Sequence, residues 1–197
     1  MRKTSALLKT ALAFVLALGV VGGLTACKGN TDADKKEIST VISKTYDDAM
    51  AFDETIVNEI LAEAQFEDMS ELGVDGKDIL AAVFKNFKYN IVDVNVNGDK
   101  AIATVHVSNI DLTVALSKFQ DAFIQWAQTE EGMKAFMGED ASAIGAGVKS
   151  ALDTGFGDSS LETKEGDVTI NMVKKDGKWE PVNRVELYDS MVIGFEG

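Results

Sequence analysis

The sequence predicts an α+β fold in which an antiparallel sheet, built from two β-hairpins, has helices packed on one side. Three observations carry this prediction. Apolar residues recur at helical spacing before residue 88 and again from residue 112, and each helical region is followed by two β-rich runs joined by a tight turn, at Asn97-Gly98 and at Asp176-Gly177. The order helices, hairpin, helices, hairpin is typical of a sheet with one buried face.

The region before residue 88 is predicted to contain three helices. Apolar residues between Ile38 and Met50 recur at three- and four-residue spacing and form one stripe. Asp53 can cap a second helix, whose apolar residues lie within 56–61. A third helix is predicted over Lys77–Phe87.

The clearest local signal is the hairpin at Asn97-Gly98. A type I′ turn needs positive φ at both central residues, and Asn-Gly between alternating apolar runs favours it. A two-residue loop at these positions pairs Val96 with Asp99 and places Tyr89 directly opposite His106. The core face predicted from this register consists of Val92, Val94, Val96, Ala101, Ala103, Val105 and Val107.

Two helices are predicted after the first hairpin. Asp111 can cap a helix from Leu112 to about Gln128. A weaker helical pattern follows, in which apolar residues recur every four residues from Ile144 to Leu152. The apolar face predicted for the first of these helices consists of Leu112, Leu116, Phe119, Phe123 and Trp126.

The second hairpin is predicted from the runs Val168–Lys175 and Lys178–Val182. In a two-residue register Trp179 falls on the same face as the apolar residues of the first run. Pro181 lacks an N–H group, which indicates an edge strand. The tail, residues 187–195, could form a last short helix or pack loosely.

Residues 1–26 have the three-part layout of a secretory signal peptide. Basic residues come first, an apolar run from Ala11 to Val21 follows, and small residues then lead to Cys27. The uncharged stretch over residues 10–26 is short for a permanent membrane span, which needs about 20 apolar residues.

The run Leu24-Thr25-Ala26-Cys27 resembles the lipobox of bacterial lipoproteins. The resemblance implies that the Cys27 thiol is diacylglycerylated and that the chain is cut just before it. Two acyl chains anchor a protein stably, whereas one chain anchors it only marginally. The alternative is a plain secretory leader with an incidental cysteine. We therefore expect a lipidated Cys and polar tether over residues 27–36 and a single α+β domain over residues 37–197.

The charge of the mature chain excludes some partners. Three of the 19 basic residues (Arg2, Lys3 and Lys9) lie in the leader, which leaves 16 basic against 32 acidic residues and a net charge of −16. Nucleic acid binding depends on Lys and Arg that neutralise phosphates, so a nucleic-acid partner is not expected. One Cys and one His exclude an internal disulfide and a histidine-rich metal site.

Two segments resemble small bacterial lipoproteins of the cystatin-like or NTF2-like superfamily. One runs from Phe87 to Asp111 and contains FKYNIVDV and AIATVHV, and the other, from Val168 to Val182, reads VTINMVKKDGKWEPV. The resemblance implies a curved sheet that wraps a helix and can leave a conical pocket. Some members of that superfamily are enzymes and many are binding or assembly modules, so the fold does not select a function.

His106 and Tyr89 are candidate pocket residues. His106 is the one histidine in the chain, so any Ser-His-Asp or Cys-His arrangement must include it. With Tyr89 opposite, and Asp93 or Asp111 nearby, His106 could act as a general base. The alternative is a sheet histidine hydrogen-bonded to a neighbour.

Trp126 is the third candidate. It lies at helical spacing from Phe119 and Phe123, which indicates core or, alternatively, the wall of a ligand pocket. Gly145-Ala146-Gly147 lacks the rest of a dinucleotide fingerprint and indicates close helix packing, so no cofactor is predicted.

These observations favour a membrane-anchored lipoprotein on the extracytoplasmic face of the cell membrane. Its expected partners are the membrane, through the lipid on Cys27, and a small molecule or an envelope protein. The first hypothesis is a non-catalytic ligand-binding or interaction module. The alternatives are a small isomerase- or hydrolase-type enzyme that uses His106, and an envelope assembly protein, which an exposed apolar patch would favour.

Overall fold

A computed structural model of the chain describes residues 31–63, 75–138 and 142–192, which form seven helices and one four-stranded antiparallel sheet. The order helices, hairpin, helices, hairpin is confirmed. The elements in chain order are α1 (Thr31–Met50), α2 (Glu54–Glu63), α3 (Gly76–Phe84), β1 (Lys88–Asn97), β2 (Lys100–Ile110), α4 (Leu112–Ala127), α5 (Glu130–Phe136), α6 (Ser142–Phe156), β3 (Thr163–Lys175), β4 (Lys178–Pro181) and α7 (Val185–Met191).

The described structure begins at residue 31, so the amino-terminal predictions can be compared with it only from there. The signal peptide and Cys27 lie outside the described residues. Helix α1 begins at Thr31, so residues 31–36, which we assigned to the tether, are helical. Asp34 is buried there, because its carboxylate accepts hydrogen bonds from Lys174 Nζ (2.6 Å) and Trp179 Nε1 (2.9 Å). The folded body therefore begins earlier than the sequence indicated.

Aspartate side chains cap the amino-terminal ends of α2, α3 and α4. The sequence predicted two of these caps, Asp53 and Asp111. Asp53 accepts hydrogen bonds from the backbone N–H groups of Thr55 and Ile56 at the start of α2. Asp111 accepts one from Val114 N (3.1 Å) at the start of α4. Asp75 caps α3 in the same way. These side chains satisfy backbone donors that have no partner within the helix.

The sheet has the order β1-β2-β3-β4, and every neighbouring pair is antiparallel. Strands β2 and β3 pair from Lys100 with Val173 to Ile110 with Thr163, and α4, α5 and α6 make the connection between them. Strand β4 is an edge strand, which confirms the position expected for Pro181.

The second hairpin confirms its prediction. Asp176 and Gly177 both have positive φ, 50° and 79°, as a type I′ turn requires. Trp179 pairs with Lys174 and is buried on the same face as Met172 and Ile170.

The first hairpin differs from its prediction by one residue in the turn. Asn97 pairs with Lys100, so the loop is Gly98-Asp99, and Val96 faces Ala101 instead of Asp99. Gly98 has φ of 62° and Asp99 is not in the left-handed region, a pattern in which glycine occupies the first central position, as in a type II′ turn. Moving the loop by one residue shifts the pairing by two, which leaves the side-chain faces unchanged because their period is two.

A β-bulge at Val92 does change the faces. Ile91 pairs with Val105 and Asp93 with Thr104, so Val92 has no partner and is exposed instead of lying in the core as predicted. Every residue before the bulge moves to the opposite face, because two residues of β1 stand against one of β2. Tyr89 therefore pairs with Val107, and its predicted position opposite His106 is wrong.

Helices cover one face of the sheet, as predicted. Ile38, Ile42 and Tyr46 of α1 have no exposed surface, and α1 contacts both edge strands. Helix α7 closes the same side of the sheet. The hydroxyl hydrogen of Ser190 is donated to Leu187 O, so in the 2.7 Å hydrogen bond between Tyr46 and Ser190 the Tyr46 hydroxyl is the donor. Burial raises the pKa of Tyr46 to about 12. The core residues of the central strand β2 are Ala101, Ala103, Val105 and Val107.

Asn109 joins three elements at the far end of β2. Its side chain is fully buried, and its Nδ2 donates to the carbonyls of Val83 (3.0 Å) in α3 and Met191 (3.1 Å) in α7. Its Oδ1 accepts from Ile110 N (2.8 Å). The amide nitrogen and oxygen of Asn109 are thus hydrogen-bonded to backbone groups only. Both carbonyl partners, of Val83 and Met191, lie in the last turn of a helix, where backbone carbonyls lack a donor within the helix.

We expect Asn109→Ala to lower the free energy of unfolding by about 1–3 kcal/mol, because the carbonyls of Val83 and Met191 lose their donor inside the core. Urea unfolding followed by circular dichroism measures this loss. The control is Asn95→Ala, which removes an exposed amide from β1 and should leave the unfolding midpoint nearly unchanged. Equal losses in the two variants would contradict a specific role for Asn109.

Candidate functional site

The structure places Tyr89 on the core side of the sheet. Its ring lies 4.8 Å from that of Tyr46 and 6.2 Å from that of Phe87, measured between centroids. Its hydroxyl donates to Asp47 Oδ1 (2.8 Å) on α1, and burial raises its pKa. Tyr89 therefore serves the packing of α1 on the sheet.

His106 lies on the opposite face, which none of the described helices covers. It is half-buried between two carboxylates of β3: Nδ1 is 2.8 Å from Asp167 Oδ1, and Nε2 is 3.8 Å from Glu165 Oε2. The hydrogen bond to Asp167 is the main cause of a raised imidazole pKa, and both carboxylates add to it by their charge. This is the hydrogen-bonded sheet histidine that was the alternative to a general base.

The raised pKa of His106 gives a pH dependence of known sign. The protonated ring is favoured in the folded state, so its contribution to stability is present below the ordinary pKa of 6.5 and is lost as the pH rises through the folded value. We expect an NMR titration of the single histidine to give a pKa above 6.5, and Asp167→Asn to move it back toward that value. Asp153→Asn, which removes an exposed carboxylate from α6, should leave it unchanged. A wild-type value at or below 6.5 would contradict the assigned pairing.

Trp126 lies apart from both residues, at the carboxyl end of α4. Its ring is 5.4 Å from Phe123 and 6.0 Å from Phe136 of α5, and Phe136 meets Phe123 edge-on at 6.4 Å. The three candidate residues thus stand on the core face, the open face and a helical corner, and they do not form one pocket.

A glycine brings Trp126 against α6. A Cβ built on Gly147 would lie 2.4 Å from two atoms of the indole, closer than real contacts allow. Only a residue without a side chain lets the ring lie here. Gly147 is therefore the close helix packing position that the sequence indicated.

The aromatic corner is defined as Phe123, Trp126, Met133, Phe136 and Met137, which lie in α4, in α5 and at the end of α5. Met133, Phe136 and Met137 are 47%, 57% and 73% exposed, whereas Phe123 and Trp126 are half-buried beneath them. Aromatic and methionine side chains are enriched at protein interfaces.

Sequence reasoning missed the α5 half of this corner. Helix α5 has seven residues, too few for a clear apolar period. The available signal was Thr129, whose hydroxyl accepts a hydrogen bond from Gly132 N (3.1 Å) and caps the helix. A cap at this position turns the chain and places Phe136 beside Phe123.

Exposed charged residues flank Met133 and Phe136 on α5. Glu130 and Glu131 are exposed in its first turn, and Lys134 pairs with Glu130 (2.7 Å). Within residues 31–63, 75–138 and 142–192, no group of three His, Cys, Asp or Glu side chains is placed to hold a metal ion. None of the helices in these ranges is long and apolar enough to span a membrane.

Comparison with known proteins identifies no family. No model of a known protein family and no curated protein matches the chain. A solved structure that resembles it is ycdA, a candidate lipoprotein of Bacillus subtilis, with a TM-score of 0.47 and 16% identity over 71% of this chain and 44% of that one. The chain thus spans less than half the length of that protein, and a likeness at this level carries neither fold type nor function across.

Proposed function

We propose that the protein is a lipid-anchored, extracytoplasmic and non-catalytic interaction module that binds a partner protein through the aromatic corner. The observation that carries the proposal is the exposure of Met133, Phe136 and Met137 together, on a chain whose mature part has a net charge of −16. An exposed apolar group rimmed by charge is typical of a surface that another molecule covers.

The point at which α4 leaves the sheet, relative to the proposed anchor, favours a protein over the membrane as the occupant. Thr31 is at most about 14 Å of extended chain from the proposed lipid on Cys27. Asp34, one turn later, is bound to Lys174 and Trp179 beside the β3–β4 turn. Helix α4 begins at the other end of β2, a strand about 34 Å long. The helices that carry the corner therefore leave the sheet at the end away from the proposed anchor.

The acidic charge near the aromatic corner indicates the chemistry of the partner. The exposed carboxylate of Glu131, which no ion pair among the described residues engages, and the acidic charge of the chain favour an apolar segment with flanking Lys or Arg, because opposite charges at the rim speed association and fix orientation. They disfavour a second copy of this chain, which would bring the same acidic rim. The proposed occupant is thus a basic, amphipathic segment of an envelope protein.

The partner can be identified by photo-crosslinking in intact host membranes. A benzophenone amino acid at position 136 should yield a crosslinked protein that the same probe at position 182 does not, although Val182 is 61% exposed. With that partner purified, Phe136→Ser should weaken binding by about tenfold or more, as expected for truncation of an interface aromatic. Val182→Ser should leave the affinity unchanged.

The binding affinities of these two variants can be compared directly. Phe136 and Val182 are similarly exposed, so neither change should alter the melting temperature. If crosslinks from position 136 join two copies of this chain, and Phe136→Ser dissolves a dimer in sedimentation, the occupant is a second copy. The absence of any crosslink specific to position 136 would contradict the proposed function.

The anchor has its own test. We expect Cys27→Ser to abolish incorporation of radiolabelled palmitate and to release the chain from the membrane fraction, because the thiol is the proposed site of acylation. A Ser43→Ala variant, which keeps Cys27, is the control. Retention of the label after Cys27→Ser would contradict the lipobox.

The assignment of the sheet to the cystatin-like or NTF2-like type is also a proposal. The cystatin-like or NTF2-like arrangement is supported by a helix, α1, that contacts both edge strands of an open antiparallel sheet. The candidate enzyme role for His106 receives less support, since both of its ring nitrogens face carboxylates.

A further inference from the structure

We propose that a cavity at the end of the sheet remote from α1's first turn binds a small organic anion, one with a negatively charged head and an apolar body. The cavity lies between the α3–β1 connection, the end of β2 and the α6–β3 loop. It is separate from the aromatic corner, and the inference does not depend on the partner proposed above.

The size and floor of the cavity suit such a ligand. Its volume is about 340 Å³, within the range of small-molecule sites. Ile110 and Phe156, both buried in the main core, form part of its lining together with Leu161. An apolar body would rest on these side chains.

The rim supplies positive charge that the protein leaves unbalanced. Lys85 and Lys88 line the cavity, and neither forms an ion pair with any carboxylate in the described part of the chain. The rim thus carries two lysines whose ammonium groups have no carboxylate partner among the described residues. Ammonium groups attract a carboxylate or phosphate as point charges.

The carboxylate inside the cavity does not cancel this charge. Asp158 pairs with Lys118 of α4 and also accepts a hydrogen bond from Ser160 N (2.8 Å). Ser108 and Ser159 add hydroxyl donors to the lining. Within the described residues, the result is two lysines without a carboxylate partner and neutral donors above an apolar floor, which is the arrangement that recognises an amphipathic acid.

Ligand-observed ¹⁹F NMR tests the site on the full-length chain in nanodiscs of zwitterionic lipid, with empty nanodiscs as the blank. The probe is 4-fluorobenzoate, the neutral comparison is 4-fluorobenzamide, and inorganic phosphate is the competitor that carries charge without an apolar body. We expect saturable binding of the benzoate with a Kd of about 1 mM or tighter. The amide should not bind.

Two charge-matched variants locate the binding. Lys85→Gln combined with Lys88→Gln should raise the Kd of 4-fluorobenzoate by about tenfold or more. Lys100→Gln combined with Lys178→Gln removes two other unpaired lysines at the opposite end of the sheet and should leave the Kd unchanged. Unaltered melting temperatures will show that both variants fold.

Three outcomes would overturn the inference. Equal losses in both double variants would mean nonspecific charge attraction. Equal binding of the amide would remove the role of the lysines, and displacement by phosphate at concentrations below the Kd of the benzoate would mean an inorganic anion site without a role for the apolar floor. No saturable binding by any probe at about 10 mM would also overturn it.

Discussion

The fold depends on one requirement, that the inward row of β2 be kept from water. Ala101, Ala103, Val105 and Val107 are buried in the middle of a sheet that has helices on one side only. Ile38, Ile42 and Tyr46 of α1 are fully buried on the same side, and α1 contacts both edge strands. Burial of apolar surface at roughly 25 cal/mol per Å² is the dominant stabilising term for such a layer. The other face then remains open and polar, and α7 and the Asn109 amide close the end of the covered side.

The bulge at Val92 decides which residues belong to this layer. Without it, the alternation along β1 would direct Tyr89 and Ile91 to solvent and Val92 to the core. With it, Tyr89 joins the rings of Tyr46 and Phe87 and ties β1 to α1 through Asp47. The same change separates Tyr89 from His106, so the open face keeps a histidine held by two carboxylates and no tyrosine beside it. The surfaces for which we propose a function therefore lie off the open face, in the helices that follow β2 and in the cavity at the end of β2.

The helices between β2 and β3 carry the aromatic corner, and the end of α6 also contributes to the cavity, whose lysines come from the end of α3 and the start of β1. Their first and last turns close the main core through Leu112, Ala115, Leu152 and Phe156, and the last of these also lines the lysine-rimmed cavity. Their middle portion leaves the core, so its aromatic residues pack on one another and stay partly exposed. An insertion that is anchored at both ends and apolar at its tip can thus serve recognition without weakening the sheet.

Local chemistry made much of the fold predictable from the sequence. The caps at Asp53 and Asp111, the type I′ turn at Asp176-Gly177, the edge position of Pro181 and the buried face of β2 all follow from interactions between residues close in the chain. Charge and the leader likewise predict the kind of protein and its anchor. The tertiary structure alone decided the bulge at Val92, the hydrogen bonds from Asn109 to the carbonyls of Val83 and Met191, the burial of Asp34 and the contact of Trp126 with Gly147. Each of these depends on contacts between residues far apart in the sequence, whose free energy exceeds local preference and which no short pattern can contain. The sequence could therefore nominate Trp126, but only the fold could show that it lies beneath an exposed corner and that Lys85 and Lys88 share a cavity.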